Sequence, residues 1–177
     1  MALPATIYKA TINLSDLDRG VYETLTATVA QHPSETEERL VARLLAYVLF
    51  YEDGLNFTKG LCASDEPEIW VKGGDGRVQL WVEVGLPDSE RIIKASRHSE
   101  QVRLLACGRA LPNWEQQHLP KLAKLANLTI ITLDQPFLAA VVQRLERSVV
   151  WSITITEGTC YLALGDETLE TAIHQRL

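Results

Sequence analysis

The chemistry available to this sequence lies mostly in its acids. Asp65-Glu66-Pro67-Glu68 leads into one alternating stretch, and Glu83 sits on the next. Ile69 and Val71 are apolar, while Glu68, Trp70 and Lys72 point the other way. Val78, Leu80, Val82 and Val84 share one face, and Gln79, Trp81 and Glu83 share the other. A period of two marks both stretches as strands. Gly73-Gly74-Asp75-Gly76 between them is a hairpin signal. Matching the apolar faces sets the register. Ile69 then faces Leu80, Val71 faces Val78, Glu68 faces Trp81, and Gly73 to Gly76 form the loop. Glu68 and Glu83 become diagonal neighbours, about 7–8 Å apart. Both carboxylates reach one point, and Asp65 and Glu66 lie close by. Converging acids repel unless a cation or a proton sits among them. An all-oxygen set of this kind suits Mg²⁺ or Mn²⁺.

A helix offers a further acid. Ser34 and Glu37 have the spacing of a capping box, and Leu40, Leu44, Tyr47, Val48 and Tyr51 follow at helical spacing. On a helical wheel Glu38 falls inside the apolar arc between Leu45 and Leu49. A carboxylate there is costly to bury without a partner. Plainer readings stand beside each of these. Acid-rich segments are usually solvated loops, and an outward Glu on a strand is usually the wet side of a sheet. Glu90 and Lys94 have the spacing of a helix ion pair, and Glu38 can pair with Arg39 or Arg43. Trp70 and Trp81 fit sheet packing more readily than base stacking.

The surrounding elements are legible. Thr6 to Leu14 and Val21 to Val29 read as an N-terminal hairpin, and Val149 to Thr156 and Thr159 to Leu164 as a closing one. Between them come the capped helix, a short strand over Leu55 to Leu61, the central hairpin and a helix from Pro87 to about His98. A strand over Gln101 to Gly108 follows, then a helix over Leu111 to Asn127 interrupted by Pro112 and Pro120. A buried strand over Leu128 to Leu133 and a helix over Pro136 to Arg147 complete the order. The tail from Asp166 has no clear period. The class is a mixed α/β chain, and 177 residues suit one domain over 1–177.

Composition narrows the function classes. Seventeen Lys and Arg against 23 Asp and Glu give a net charge of −6, which argues against a dedicated nucleic-acid binder but not against a local basic patch. No apolar run reaches the ~18 residues of a membrane helix, and the N-terminus has no signal-peptide pattern. Cys62, Cys107 and Cys160 are odd in number and form no CxxC pair, which fits buried thiols in a reducing cytoplasm. His32, His98, His118 and His174 are scattered, and no P-loop, dinucleotide fingerprint or nucleophile elbow is present.

Three strings carry a resemblance: His32-Pro-Ser-Glu-Thr-Glu-Glu-Arg39, Phe57-Thr-Lys-Gly-Leu-Cys-Ala-Ser-Asp-Glu-Pro-Glu68 and Leu80-Trp-Val-Glu-Val-Gly-Leu-Pro-Asp88. Arg91-Ile-Ile-Lys94-Ala95 and Ala5-Thr-Ile-Tyr-Lys-Ala10 extend it along the chain. The sequence resembles the YaeQ family of bacterial proteins. The resemblance implies a variant of the PD-(D/E)XK nuclease-like fold, with an αβββαβ core and β-hairpins added at both ends. It places Pro67-Glu68 where that fold carries Pro-Asp, Glu83-Val84-Gly85 where it carries Glu-x-Lys, and Glu38 as the helix acid. Gly85 stands in the position of the catalytic Lys, and Lys94 on the next helix, with Arg91 one turn earlier, is the candidate replacement.

Two functions follow as expectations. One is a Mg²⁺- or Mn²⁺-dependent nuclease acting on DNA or RNA. There Glu38, Glu68, Glu83 and Asp65 hold metal, Lys94 and Arg91 assist catalysis, and Arg39, Arg43, Lys59, Lys72, Lys94 and Arg97 form a basic rim. The other is a non-catalytic binding module of the same fold, for nucleic acid or a protein partner, in a regulatory role. Neither involves a membrane.

Overall fold

The computed structural model describes residues 2–58 and 65–177. The elements in chain order are β1 (Thr6–Asp16), β2 (Val21–Gln31), α1 (Glu37–Leu49), β3 (Asn56–Phe57), β4 (Ile69–Lys72), β5 (Val78–Val84), α2 (Ser89–His98) and β6 (Ser99–Leu105). They continue with α3 (Leu111–Leu122), β7 (Leu128–Thr132), α4 (Gln135–Gln143), β8 (Ser148–Thr156), β9 (Thr159–Leu164), β10 (Glu167–Ala172) and β11 (His174–Gln175). The expected mixed α/β class is what forms, as two sheets and four helices among the described residues. No helix among them is long and apolar enough to cross a membrane. The chain gathers into two compact units: residues up to Val41 with Leu133–His174, and Ala42–Thr132 with Gln175–Leu177.

The first unit is a five-stranded sheet in the order β10-β9-β8-β1-β2. Its two hairpins are not separate additions, because β1 pairs in parallel with β8 and joins them into one sheet. Strict alternation along β1 buries Tyr8, Ala10, Ile12 and Leu14 on one face. Asp16 continues that buried face, and its carboxylate is held by the Arg19 Nε at 2.6 Å and the Arg19 backbone N–H at 3.0 Å. The tail that lacked a clear period forms β10 against β9.

The second unit is a six-stranded sheet in the order β11-β7-β6-β5-β4-β3. The β3-β4-β5 part is antiparallel, and β5-β6-β7 is parallel. The central hairpin departs from the expected register. Ile69 pairs with Val82, Trp70 with Trp81 and Val71 with Leu80, and a bulge between Val71 and Lys72 then sets Lys72 against Val78. Apolar matching is satisfied equally by a shift of two residues, so the pattern alone could not choose. The loop closes through the Gly73 N–H on the Arg77 carbonyl at 2.8 Å, with Gly76 at φ 82°.

The plainer reading put the face carrying Trp81 and Glu83 on the solvent side of the sheet. It is not wet: Leu80 to Val84 are buried on both faces of β5. Trp81 joins Ile92 and Ala95 of α2, Val102 and Leu104 of β6, and Trp114 of α3 in one apolar cluster. A parallel β5-β6 crossover requires a helix on a sheet face, and α2 supplies it.

The helix α1 is also more deeply buried than an amphipathic arc implies. Every residue from Leu40 to Phe50 is buried, Arg43 at 5% exposure among them. Arg43 therefore cannot belong to an exposed basic rim. The cap is Thr36 rather than Ser34. The Arg39 N–H donates to Thr36 Oγ1 at 3.2 Å, and the Leu40 N–H donates to the Thr36 carbonyl at 3.1 Å.

Candidate functional site

The second unit brings together four of the residues singled out in the sequence. Glu83 projects from β5, and Arg91 and Lys94 stand one turn apart on α2. Asp65 precedes the start of β4. Glu83 is 3% exposed. Its Oε1 accepts the Arg91 Nε–H at 2.7 Å and the Trp81 Nε1–H at 2.8 Å. Arg91 reaches further, donating from Nη2 to the Glu66 carbonyl at 2.7 Å. One guanidinium thus ties β5 to the segment before β4. Lys94 Nζ lies 3.3 Å from Asp65 Oδ1, and both side chains are well exposed.

Glu68 enters by the register correction. Its N–H donates at 3.1 Å to the carbonyl of Val82, the residue that pairs with Ile69, so Glu68 sits at the end of the β4-β5 ladder. It lies close enough to Glu83 for the two charges to interact. The two carboxylates repel, which is the smallest of the influences on the Glu83 carboxyl. Burial is the largest cause and pushes the Glu83 carboxyl above its ordinary range. The Arg91 charge and the hydrogen bonds from Trp81 and Arg91 draw it back down, and Glu68 pushes it up again.

Glu38 lies in the first unit, where its Oε1 accepts the Gln135 Nε2–H at 2.9 Å. It stands in the first turn of α1, where a negative charge suits the helix dipole. Arg39 lies 3.5 Å from the Glu35 carboxylate, whose side chain is fully buried. Lys59 and Cys62 lie outside the described residues.

The Oε1 of Glu83 is engaged by a guanidinium and an indole N–H, whose positive charge and hydrogen bonds stabilise the buried carboxylate. Among the described residues, no group of three or more His, Cys, Asp or Glu side chains is gathered closely enough to hold a metal.

Beside Arg91 the unit has a cleft of about 410 Å³, lined by Asp65, Trp70, Lys72, Trp81, Arg91 and Lys94, with His98 at its rim. Lys72 Nζ lies 3.9 Å above the Trp70 ring, and the Arg91 guanidinium lies 5.9 Å from the Trp81 ring centre.

A family model described as YaeQ protein matches residues 1–173. The YaeQ protein of Escherichia coli strain K12 is 43% identical over 171 residues, 96% of this chain and 94% of that one. The chain belongs to the YaeQ family. The crystal structure of the YaeQ protein from Pseudomonas syringae matches with a TM-score of 0.93 at 41% identity, covering 99% of this chain and 98% of that one. The one from Xanthomonas axonopodis pv. citri matches with a TM-score of 0.92 at 34% identity, covering 97% and 98%.

In this member of the YaeQ family, two site features escaped the sequence reading. The first is the indole bond from Trp81 to Glu83, whose residues lie two apart on one strand face. Their i, i+2 spacing was visible, but the dry surroundings that make the bond matter were not. The second is the convergence of Lys72 and Trp70 with the α2 cations. It depends on how α2 packs on the sheet, which spacing along the chain does not encode.

Proposed function

We propose that this YaeQ-family chain is a non-catalytic binding module of PD-(D/E)XK nuclease-like fold that holds nucleic acid without a catalytic metal. The order α1, β3, β4, β5, α2, β6 supports the fold assignment, because it runs helix, three strands, helix, strand. The Arg91–Glu83 pair carries the functional reading. The buried acid of the nuclease motif is neutralised by a protein cation, so the site is balanced without a metal. Gly85 supports it. At φ 102° its backbone lies in a region that disfavours any L side chain, so a Lys at this motif position is strained although the surrounding space is open. Nucleic acid rather than protein is favoured by the exposed cations along α2, Lys94 and Arg97, and by Lys72 beside the two indoles.

The competing proposal is the Mg²⁺- or Mn²⁺-dependent nuclease, with Glu38, Glu68, Glu83 and Asp65 as ligands and Lys94 and Arg91 in assisting roles. The neighbouring carboxylates of Glu68 and Glu83 favour it, but Arg91 already balances the Glu83 charge at Oε1. The experiment measures binding to single- and double-stranded DNA and RNA, with chelator and with Mn²⁺, beside calorimetric titration of Mn²⁺. The module reading expects strand binding that survives chelation and falls steeply with salt, as phosphate contacts require. Mn²⁺ binding lost in Glu68→Ala, together with strand cleavage lost in Glu83→Ala, overturns it in favour of the nuclease.

A further inference from the structure

We infer that the cleft beside Arg91 is a subsite for one unpaired nucleotide, with the base against the Trp70 indole and the phosphate between Lys72 and Lys94. The inference rests on the module reading and names what that module grips. Size is the first argument. A volume of about 410 Å³ falls in the range of small-ligand sites, so it takes one nucleotide unit and not a duplex.

Chemistry is the second. Trp70 and Trp81 are directly paired across β4 and β5; Trp81 is buried, so Trp70 is the indole with a face open to the cleft. Every base has a π-face, and stacking on an indole is sequence-tolerant. Lys72 already sits over Trp70 as a cation on a π-face, and Lys94 stands opposite on α2. His98 adds an imidazole at the rim, its Nδ1 engaged with the Lys94 carbonyl at 2.8 Å. Arg91 contributes positive charge but is committed to Glu83 and Glu66, so it shapes the floor.

Asp65 is the acid on this lining, and it occupies Lys94. Both partners are solvent-exposed, at 81% and 69% for the side chains, and exposed pairs of this kind are weak. An incoming phosphate displaces Asp65 from Lys94 readily. The acid then acts as a weak internal competitor, and its removal should tighten binding.

The nucleotide can arrive as a strand end or as a free nucleoside monophosphate. Full-length protein is titrated, followed by tryptophan fluorescence, with thymidine 5′-monophosphate, a short 5′-phosphorylated oligothymidylate, its unphosphorylated twin and inorganic phosphate. The expected result is binding of the phosphorylated strand or the mononucleotide in preference to inorganic phosphate. Lys72→Gln with Lys94→Gln should weaken it at least about tenfold. Trp70→Ala should weaken it roughly 5- to 150-fold, and Trp70→Tyr, which keeps the strand and an aromatic face, should retain most of it. Asp65→Asn should tighten it.

Strand binding that ignores all four variants overturns the subsite and leaves the module standing. Mononucleotide binding without strand binding keeps the subsite and overturns the module. Inorganic phosphate binding as well as either nucleotide ligand overturns the subsite as a nucleotide site, and binding of neither nucleotide ligand overturns both proposals.

Discussion

Removing Arg91 strands a buried carboxylate, and the cost can be worked from the geometry. Arg91→Gln deletes the 2.7 Å bond to Glu83 Oε1 and the 2.7 Å bond to the Glu66 carbonyl. Breaking one partner of a buried pair costs about 3–5 kcal/mol. Arg91 is one-third exposed, and water refills part of its place, so the lower end applies. The expected loss is about 3 kcal/mol at neutral pH. Its pH dependence is the sharper test. The Glu83 carboxyl is raised above its ordinary value in the folded state, burial being the main cause. A raised acid binds its proton more readily folded than unfolded. Its contribution to stability is therefore present in acid and lost as pH rises through the folded value. Arg91 opposes that rise. Without it the carboxyl is raised further, so the variant's deficit grows between the two folded values by up to about 1.4 kcal/mol per pH unit, and then levels off. Urea unfolding followed by tryptophan fluorescence, across the acid range up to neutral, measures this. In a Glu83→Gln background, Arg91→Gln should cost only the Glu66 bond, about 0.5–1.5 kcal/mol. A deficit independent of pH, or equal in both backgrounds, refutes the charge-compensation argument.

Three further outcomes follow from the same structure. Gly85→Lys should destabilise by about 1–3 kcal/mol in urea unfolding, because the positive φ rather than crowding sets the cost. Thr36→Ala should cost about 0.5–2 kcal/mol by loss of the helix cap, whereas Ser34→Ala should cost clearly less; the reverse order in thermal melts would return the cap to Ser34. Lys94→Ala should change stability by less than about 1 kcal/mol, since its pair with Asp65 is exposed, while lowering strand affinity in a titration.

Much of the architecture was legible in the chain. Residues of high strand preference gave β1, β2, β8 and β9, and the alternation of buried and wetter positions along β1 and β8 agrees with them. The β4-β5 hairpin and the α2 helix were read close to their true bounds from Gly73 to Gly76 and from Pro87-Asp88. The acids at 65, 68 and 83 and the cations at 91 and 94 were picked out by type and order. What was misread shares one cause. The β4-β5 register, the burial of Trp81 and Glu83 and the burial of Arg43 each depend on what packs from elsewhere in the chain. Two registers, two residues apart, satisfied the same apolar pattern, and the one that forms carries a bulge between Val71 and Lys72.

The sequence by itself determined the elements, their order and the residue types that stand at the candidate site. Those follow from local periodicity, turn chemistry and charge, which act over a few residues. The tertiary structure decided what the acids mean. It laid α2 over β5, which took Glu83 out of water, and it delivered Arg91 and the Trp81 indole to the same carboxylate oxygen. A charge buried in this way needs a partner, and which group provides it is a matter of three-dimensional placement. Here the partner is a guanidinium.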